Sequence, residues 1–218
     1  MATILRDWSY RYQWLYDAIA RLAALSVGGE SRFRQLPLDG LDWSDAPSVL
    51  DLCCGSGQAT QFLVERSPKV VGLDASPRSL QRAQANVPSA TFVEGWAEQM
   101  PLENETFDIV HTSAALHEMQ PEQLKQIVAE VYRVLKPGGV FALVDFHRPQ
   151  NPLFWPGLAL FLWVFETETS WQFIQTDLPD LLHQHGFQMD VPFPSGQTLH
   201  AGGSLQVIQA RKPDGGRR

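Results

Sequence analysis

Five short apolar runs alternate with stretches of helical character through the middle of the chain, and this alternation restricts the fold more than any other feature. The runs are SVLDL (48–52), KVVGLD (69–74), ATFVE (90–94), FDIVHT (107–112) and GVFALVDF (139–146). Between them, Gln58–Arg66, Pro77–Asn86 and Pro121–Leu135 read as helices. The last places Leu124, Ile127, Val128, Val131, Val134 and Leu135 on one apolar face, as a helix packed on a sheet requires. Pro121 suits its first turn, and KPGG (136–139) supplies a stop. Strands joined through helices by short links predict an α/β fold, with a mostly parallel sheet covered on both faces. After Gly186, FQMDVPF (187–193) and SLQVIQARK (204–212) predict two further strands that pair antiparallel at a sheet edge, joined by the Gly/Ser-rich PSGQTLHAGGS.

The 218 residues suit one domain with a full core. A formal charge of −7 argues against nucleic acid as the main partner. The basic cluster RKPDGGRR reads as a solvated, flexible tail over 212–218. The two cysteines are adjacent, at Cys53 and Cys54, so they predict neither a disulfide nor a zinc site but a reducing, cytoplasmic setting. The start shows no basic-then-apolar signal pattern. The longest uncharged apolar run, Pro152–Phe165, is shorter than the ~20 residues of a spanning helix, so a soluble protein is expected. Upstream of the sheet, Trp8, Tyr12, Leu15, Ile19 and Leu22 share one helical face. Residues 1–44 are therefore expected to form a helical cap, packed on the core or closing over a substrate.

The first predicted strand runs into DLCCGSGQAT (51–60). In open parallel sheets, ligands sit beyond the carboxyl ends of strands where the strand order reverses. Gly55 and Gly57 remove side chains that would hold a ligand off the backbone. Asp74 ends the second strand, where a carboxylate accepts hydrogen bonds from ribose hydroxyls. A dinucleotide turn needs a third glycine at position 60, and this chain has Thr60. An adenosine-type ligand without a pyrophosphate follows from that difference.

From Asp51 onward the chain resembles the class I S-adenosylmethionine-dependent methyltransferases, through DLCCGSG, VVGLDAS, FVEGWAEQMPLENETFDIV and RVLKPGG in family order. The resemblance implies a Rossmann-like, seven-stranded sheet with an antiparallel last strand, over residues 45–211. It implies S-adenosyl-L-methionine as cofactor, with Asp51, Cys53, Gly55 and Gly57 along its methionine and ribose part. Asp74 would hold the ribose hydroxyls, with Ala75 and Ser76 beside it. Trp96, Ala97 and Glu98 would flank the adenine, and Thr112 would face the methionine moiety. Many relatives have Asp where this chain has Trp96. A narrower resemblance, carried by RVLKPGGVFALVDFHRPQNPLFWPG (133–157) and LYDAIA (15–20), is to the ubiquinone/menaquinone biosynthesis C-methyltransferases. Those enzymes usually carry Arg-Asn where this chain has His117 and Glu118, and Glu-Phe-Ser where it has Asp145, Phe146 and His147.

Methyl transfer from a sulfonium needs alignment, exclusion of water and, for a quinol carbon, removal of a phenolic proton. Asp145 and His147 stand two apart in an extended segment, so their side chains are expected on one face as an Asp-oriented base. His117, just after the fourth strand, is the second candidate; an ordinary solvated or loop histidine is the alternative for both. His111 lies within the fourth strand and reads as packed or hydrogen-bonded, and no metal motif is present. The apolar run opens an insertion, 152–186, expected to cap the substrate pocket with Trp155, Phe161, Trp163 and Phe165. A greasy groove for a prenyl tail, or contact with a membrane surface, is the functional counterpart of a buried cap helix. The expected reaction is C-methylation of a small lipophilic acceptor, a prenylated quinol or phenol. O- or N-methylation of another metabolite, a nicotinamide dehydrogenase and a non-catalytic cofactor-binding fold are the alternatives.

Overall fold

The computed structural model describes residues 27–189 and 196–214. Among the described residues there are seven strands: β1 (Val49–Leu52), β2 (Val70–Asp74), β3 (Thr91–Glu94), β4 (Phe107–Ser113), β5 (Leu135–Phe146), β6 (Gln197–His200) and β7 (Leu205–Arg211). They form one sheet in the order β3-β2-β1-β4-β5-β7-β6. The first five run parallel, and β7 runs antiparallel to both of its neighbours. Crossovers step from β1 outward to β2 and β3, then return past β1 to β4. That reversal opens a crevice at the carboxyl ends of β1 and β4.

The helices are α1 (Glu30–Gln35), α2 (Thr60–Val64), α3 (Pro77–Asn86), α4 (Pro121–Val134), α5 (Trp155–Phe165), α6 (Glu168–Phe173) and α7 (Leu178–Gln184). The Ser76 hydroxyl accepts the Ser79 N–H, and Pro77 follows it, so α3 starts at a defined point. α4 buries Leu124, Ile127, Val128, Val131 and Val134 against the sheet, the face read from its periodicity. Successive strand residues feed two cores. Leu50, Leu52 and Val110 join the larger one, and Val49 and Ile109 the smaller. Side chains alternate across a strand, so both faces of β1 and β4 must be covered, and their sequences are apolar at consecutive positions for that reason.

Three expectations change. The strand beside β7 comes from the predicted linker, as Gln197–His200, and of FQMDVPF the described residues give a single bridge from Gln188 to Arg211. All four β6 side chains are half-buried, so an edge strand leaves no apolar alternation to read. KPGG does not stand outside the sheet. β5 already begins at Leu135, opposite Phe107, and the register slips by the time Val140 faces Ile109, with Gly138 at φ +78° taking up the irregularity. The tail does not become solvated at Lys212, whose buried ammonium donates to the carbonyls of Tyr132 and Leu135. The N-terminal cap expected from Trp8 to Leu22 lies outside the described residues.

The 152–186 segment forms a 3-10 turn (Pro152–Phe154) followed by α5, α6 and α7. Leu158 and Leu162 are buried, whereas Leu153, Leu160 and Trp163 are exposed. Among the described residues, no helix is long and apolar enough to cross a membrane. The orientation of α5 makes a direct prediction. Leu162→Ala should lower unfolding free energy by about 2–5 kcal/mol, and Leu160→Ala by no more than about 0.5 kcal/mol, in urea titrations followed by circular dichroism.

Candidate active site

Beyond Leu52 the chain turns sharply. Cys53 (φ +56°), Gly55 (φ +56°) and Gly57 (φ +84°) are all left-handed. For a cysteine this conformation costs on the order of 1–2 kcal/mol. Two backbone bonds hold the turn: Cys54 N–H to Leu73 O at 3.0 Å, and Gly57 N–H to Cys54 O at 3.0 Å. The Gly55 N–H donates to Asp74 Oδ2 at 2.9 Å, and the Ser76 N–H to Asp74 Oδ1 at 2.9 Å. One carboxylate therefore ties the loop after β1 to the loop after β2. Each oxygen keeps a lone pair for a further donor. The two glycines serve different ends. A Cβ at Gly57 would meet Val87 Cγ2 at 3.2 Å and the Ala83 backbone at 3.5 Å, so its role is to let the turn pack on α3 rather than to admit a ligand.

Asp51 is buried at the floor. Its Oδ2 accepts the Thr60 hydroxyl at 2.6 Å, and its Oδ1 lies 3.0 Å from His111 Nδ1. Thr60, standing where a dinucleotide turn has glycine, orients this carboxylate. His111 is both packed and hydrogen-bonded.

Asp51 and part of the turn line a cavity of about 570 Å³, within the usual range for small-molecule sites. Of the residues expected there, Asp51, Cys53, Gly55, Asp74, Ala75, Ser76 and Trp96 form its wall. Trp96 is 65% exposed, with its ring at the rim. Gly57, Ala97, Glu98 and Thr112 are not in the wall. Ala97 is buried in the larger core, and Glu98 accepts from Gln123 Nε2. Thr112 is buried within β4, and the wall begins one residue later with Ser113, Ala114 and Ala115. Glu118, Met119, Arg78, Arg82 and Arg34 also belong to it. No motif announces Arg34, because α1 lies in the segment that reads as a plain connector. Burial, followed by Asp74, Glu118 and Asp51, pushes the Cys53 thiol up, which keeps it protonated at neutral pH. The cap residues Trp155, Phe161, Trp163 and Phe165 are absent from this wall. Phe161 meets Phe146 edge-on and Phe165 at a tilt, Trp155 meets Trp171, and Trp163 faces outward.

The expected Asp145–His147 pair is replaced by another. Asp145 Oδ1 lies 2.6 Å from His117 Nδ1, and its carboxylate also accepts the N–H groups of Leu116, His117 and Phe146. His117 Nε2 is 3.5 Å from Glu166 Oε2, and the buried ring sits 4.5 Å from that of Phe146. His147 turns away, with Nδ1 at 2.8 Å from the Gly203 carbonyl and its N–H on Ser204 O. The chain leaves the sheet after Phe146 to follow the end of β7, so strand alternation no longer governs His147. Burial alone would lower the pKa of His117, but Asp145 and Glu166 outweigh it and hold the imidazole well above the ordinary histidine range. Both ring nitrogens face carboxylates, so the group is an imidazolium with no lone pair for a substrate proton. The stabilisation from this raised pKa is complete below the unfolded value, about 6.5, and is lost as pH rises through the folded value. Wild-type melting temperature should therefore fall as the buffer is taken alkaline. His117→Gln should melt lower at neutral pH and lose most of that alkaline slope in differential scanning calorimetry.

Comparison with known proteins adds to this geometry. Residues 49–139 match the family described as methyltransferase domain. An uncharacterized methyltransferase of Synechocystis sp. is 60% identical, over 97% of this chain and 97% of that one. The 2-phytyl-1,4-naphtoquinone methyltransferase of Thermosynechococcus vestitus is 33% identical, over 64% of this chain and 66% of that one. In fold, the chain is similar to the S-adenosylmethionine-dependent methyltransferase from Mesorhizobium loti, with a TM-score of 0.56 at 19% identity, over 82% of this chain and 97% of that one. The chain belongs to the methyltransferases, and its sheet has the Rossmann-like class I methyltransferase fold.

Proposed function

We propose that this methyltransferase uses S-adenosylmethionine as its cofactor, acts on a small lipophilic acceptor, a prenylated quinol or phenol ring, and places the methyl group on carbon. The observation that carries the cofactor half of this reading is the Asp74 carboxylate, fixed at the cavity wall by two backbone N–H groups with lone pairs to spare. A ribose diol presents two O–H donors to such a group. Asp51 and Glu118 supply negative charge along the same wall, suited to the cationic sulfonium and ammonium of the cofactor. The exposed face of Trp96 offers an apolar surface for the adenine. The donor set fits.

When bound, the cofactor supplies an activated methyl group, so the protein's own work is alignment and exclusion of water. The loop from Cys53 to Gly57, held by Cys54, Leu73 and Asp74, fixes one side of the crevice before any ligand arrives. The turn after β4 forms the other side, and Asp145 fixes it through the N–H groups of Leu116 and His117. Asp145 and His117 thus act here as positioning groups. His147, bonded to Gly203, does not line this cavity.

The lipophilic acceptor rests on two supports. The naphthoquinone methyltransferase named above shares sequence with this chain over 150 residues. The exposed side chains of Leu153, Leu160 and Trp163 give the α5 region an apolar surface of the kind that meets lipids.

Two measurements test the two halves. S-adenosylmethionine and S-adenosylhomocysteine should each raise the melting temperature, by about 2.7 kcal/mol of stabilisation at a hundredfold excess over Kd, and NAD should not. Asp74→Ala should weaken S-adenosylhomocysteine binding at least tenfold in calorimetry while leaving the circular dichroism spectrum unchanged. For the acceptor, labelled methyl donor and a lipid extract rich in prenylated quinols should yield a product whose label resists ether cleavage. Label confined to water-soluble products would reject the lipophilic acceptor.

A further inference from the structure

Residues 146–165 include no acidic side chain, in a protein whose formal charge is −7. The only Lys or Arg among them is Arg148, which is exposed and has no ion-pair or hydrogen-bond partner among the described residues. Residues 151–157 are all exposed, yet five of these seven are proline, leucine, phenylalanine or tryptophan. Single apolar residues at a surface need no explanation, whereas a contiguous run of them marks an interaction surface. The turn is held in place. The N–H groups of Gln150 and Asn151 both donate to Gly202 O, at 3.1 and 3.0 Å, and the Phe154 ring packs so closely on Gly202 that a Cβ there would clash. α5 continues the surface. Leu158 and Leu162 face the core, while Leu160 and Trp163, 62% and 67% exposed, face water on the opposite side. The helix has eleven residues and no charged side chain. At about 16 Å it can lie along a bilayer but cannot cross one.

Charge and side-chain type select the occupant. An anionic bilayer repels an acidic protein except where a face without carboxylates is turned towards it. Trp155 and Trp163 stand towards opposite ends of α5, and indole rings settle at the headgroup level of a lipid surface. Arg148 precedes the apolar turn on the wall of a polar cavity of about 580 Å³, shared with Gln150, Gln175, Thr176 and Asp177. Asp177 Oδ1 is occupied by the Asp180 N–H at 3.0 Å, so the Arg148 guanidinium is the group suited to a phosphodiester. We propose that Leu153, Phe154, Trp155, Leu160 and Trp163 form a docking surface for an anionic lipid bilayer, with Arg148 on a lipid phosphate at its rim. α5 lies in the plane of that surface, its outer face at the acyl boundary and its inner face in the protein core. The inference deepens the lipophilic-acceptor reading and rests on it for its purpose, since a bilayer is where a prenylated ring dissolves.

The test needs neither cofactor nor acceptor, so its result is separate from that of a methylation assay. The full-length wild-type chain should float with extruded vesicles of phosphatidylglycerol and phosphatidylcholine in a density gradient. The double variant Leu160→Asn, Trp163→Ser is altered only at exposed positions. It should bind these vesicles at least about tenfold more weakly, as expected when apolar side chains no longer leave water, with its melting temperature unchanged. Arg148→Gln should lose about fivefold on the anionic vesicles and nothing on pure phosphatidylcholine. Lipid brominated on its acyl chains should quench tryptophan emission in the wild type and less in Trp163→Phe, a readout that holds even if the double variant fails to fold. Wild-type protein that floats with neither vesicle type would overturn the assignment, as would full retention of binding by the double variant. A lipid-free wild-type dimer that this variant dissolves, in sedimentation velocity, would give the surface to a second copy of the chain instead. If the protein floats yet methylates no lipid-soluble acceptor, the docking surface stands and the acceptor reading alone fails.

Discussion

A carboxylate at a strand end that accepts two backbone N–H groups is both a binding group and a joint. Asp74 holds Gly55 from one loop and Ser76 from the next, so the two loops that flank the crevice cannot move apart without breaking a charge-assisted bond. Asp145 does the same on the far side, gathering three backbone N–H groups and an imidazole at the end of β5. Both joints sit where the parallel sheet presents its strand ends. The crevice between them is consequently preorganised, and preorganisation is what a reaction limited by alignment requires.

The central strands were legible because burial on both faces makes consecutive residues apolar. Val49 and Leu50 enter different cores, and no polar residue interrupts the run before Asp51. The same reasoning fails at the sheet edge. Gln197–His200 carries two polar residues and a histidine around Leu199, and it becomes a strand through its bonds to β7 rather than through its own pattern. Periodicity reports burial, and a half-buried edge has little to report.

At the site, Asp51, Gly55 and Asp74 were legible because a tight turn and a strand-end acid each leave a local mark. Gly57 left the same mark for another reason, since Val87 and Ala83 occupy the space a side chain would need. The partner of Asp145 was not legible. Alternation along the strand favoured His147, whereas the bond to His117 forms across 28 positions, once the turn after β4 folds back over β5. Arg34 is similar. Its contact with Ser113 spans 79 positions and has no local signature. Tertiary contacts between distant segments lie beyond what propensity and spacing encode.

The position of β7 has a consequence for synthesis. It lies between β5 and β6 and pairs with both, so β5 lacks its second neighbour, and β6 its partner, until Leu205–Arg211 has emerged. The five parallel strands and their crevice are encoded by Phe146, yet β5 then carries an open, apolar margin of unpaired amides. Such a margin attracts other chains. The nascent protein thus passes through an interval in which its reaction centre has been translated but its sheet is still adhesive, and a chaperone or simple translation speed would decide how many molecules survive it.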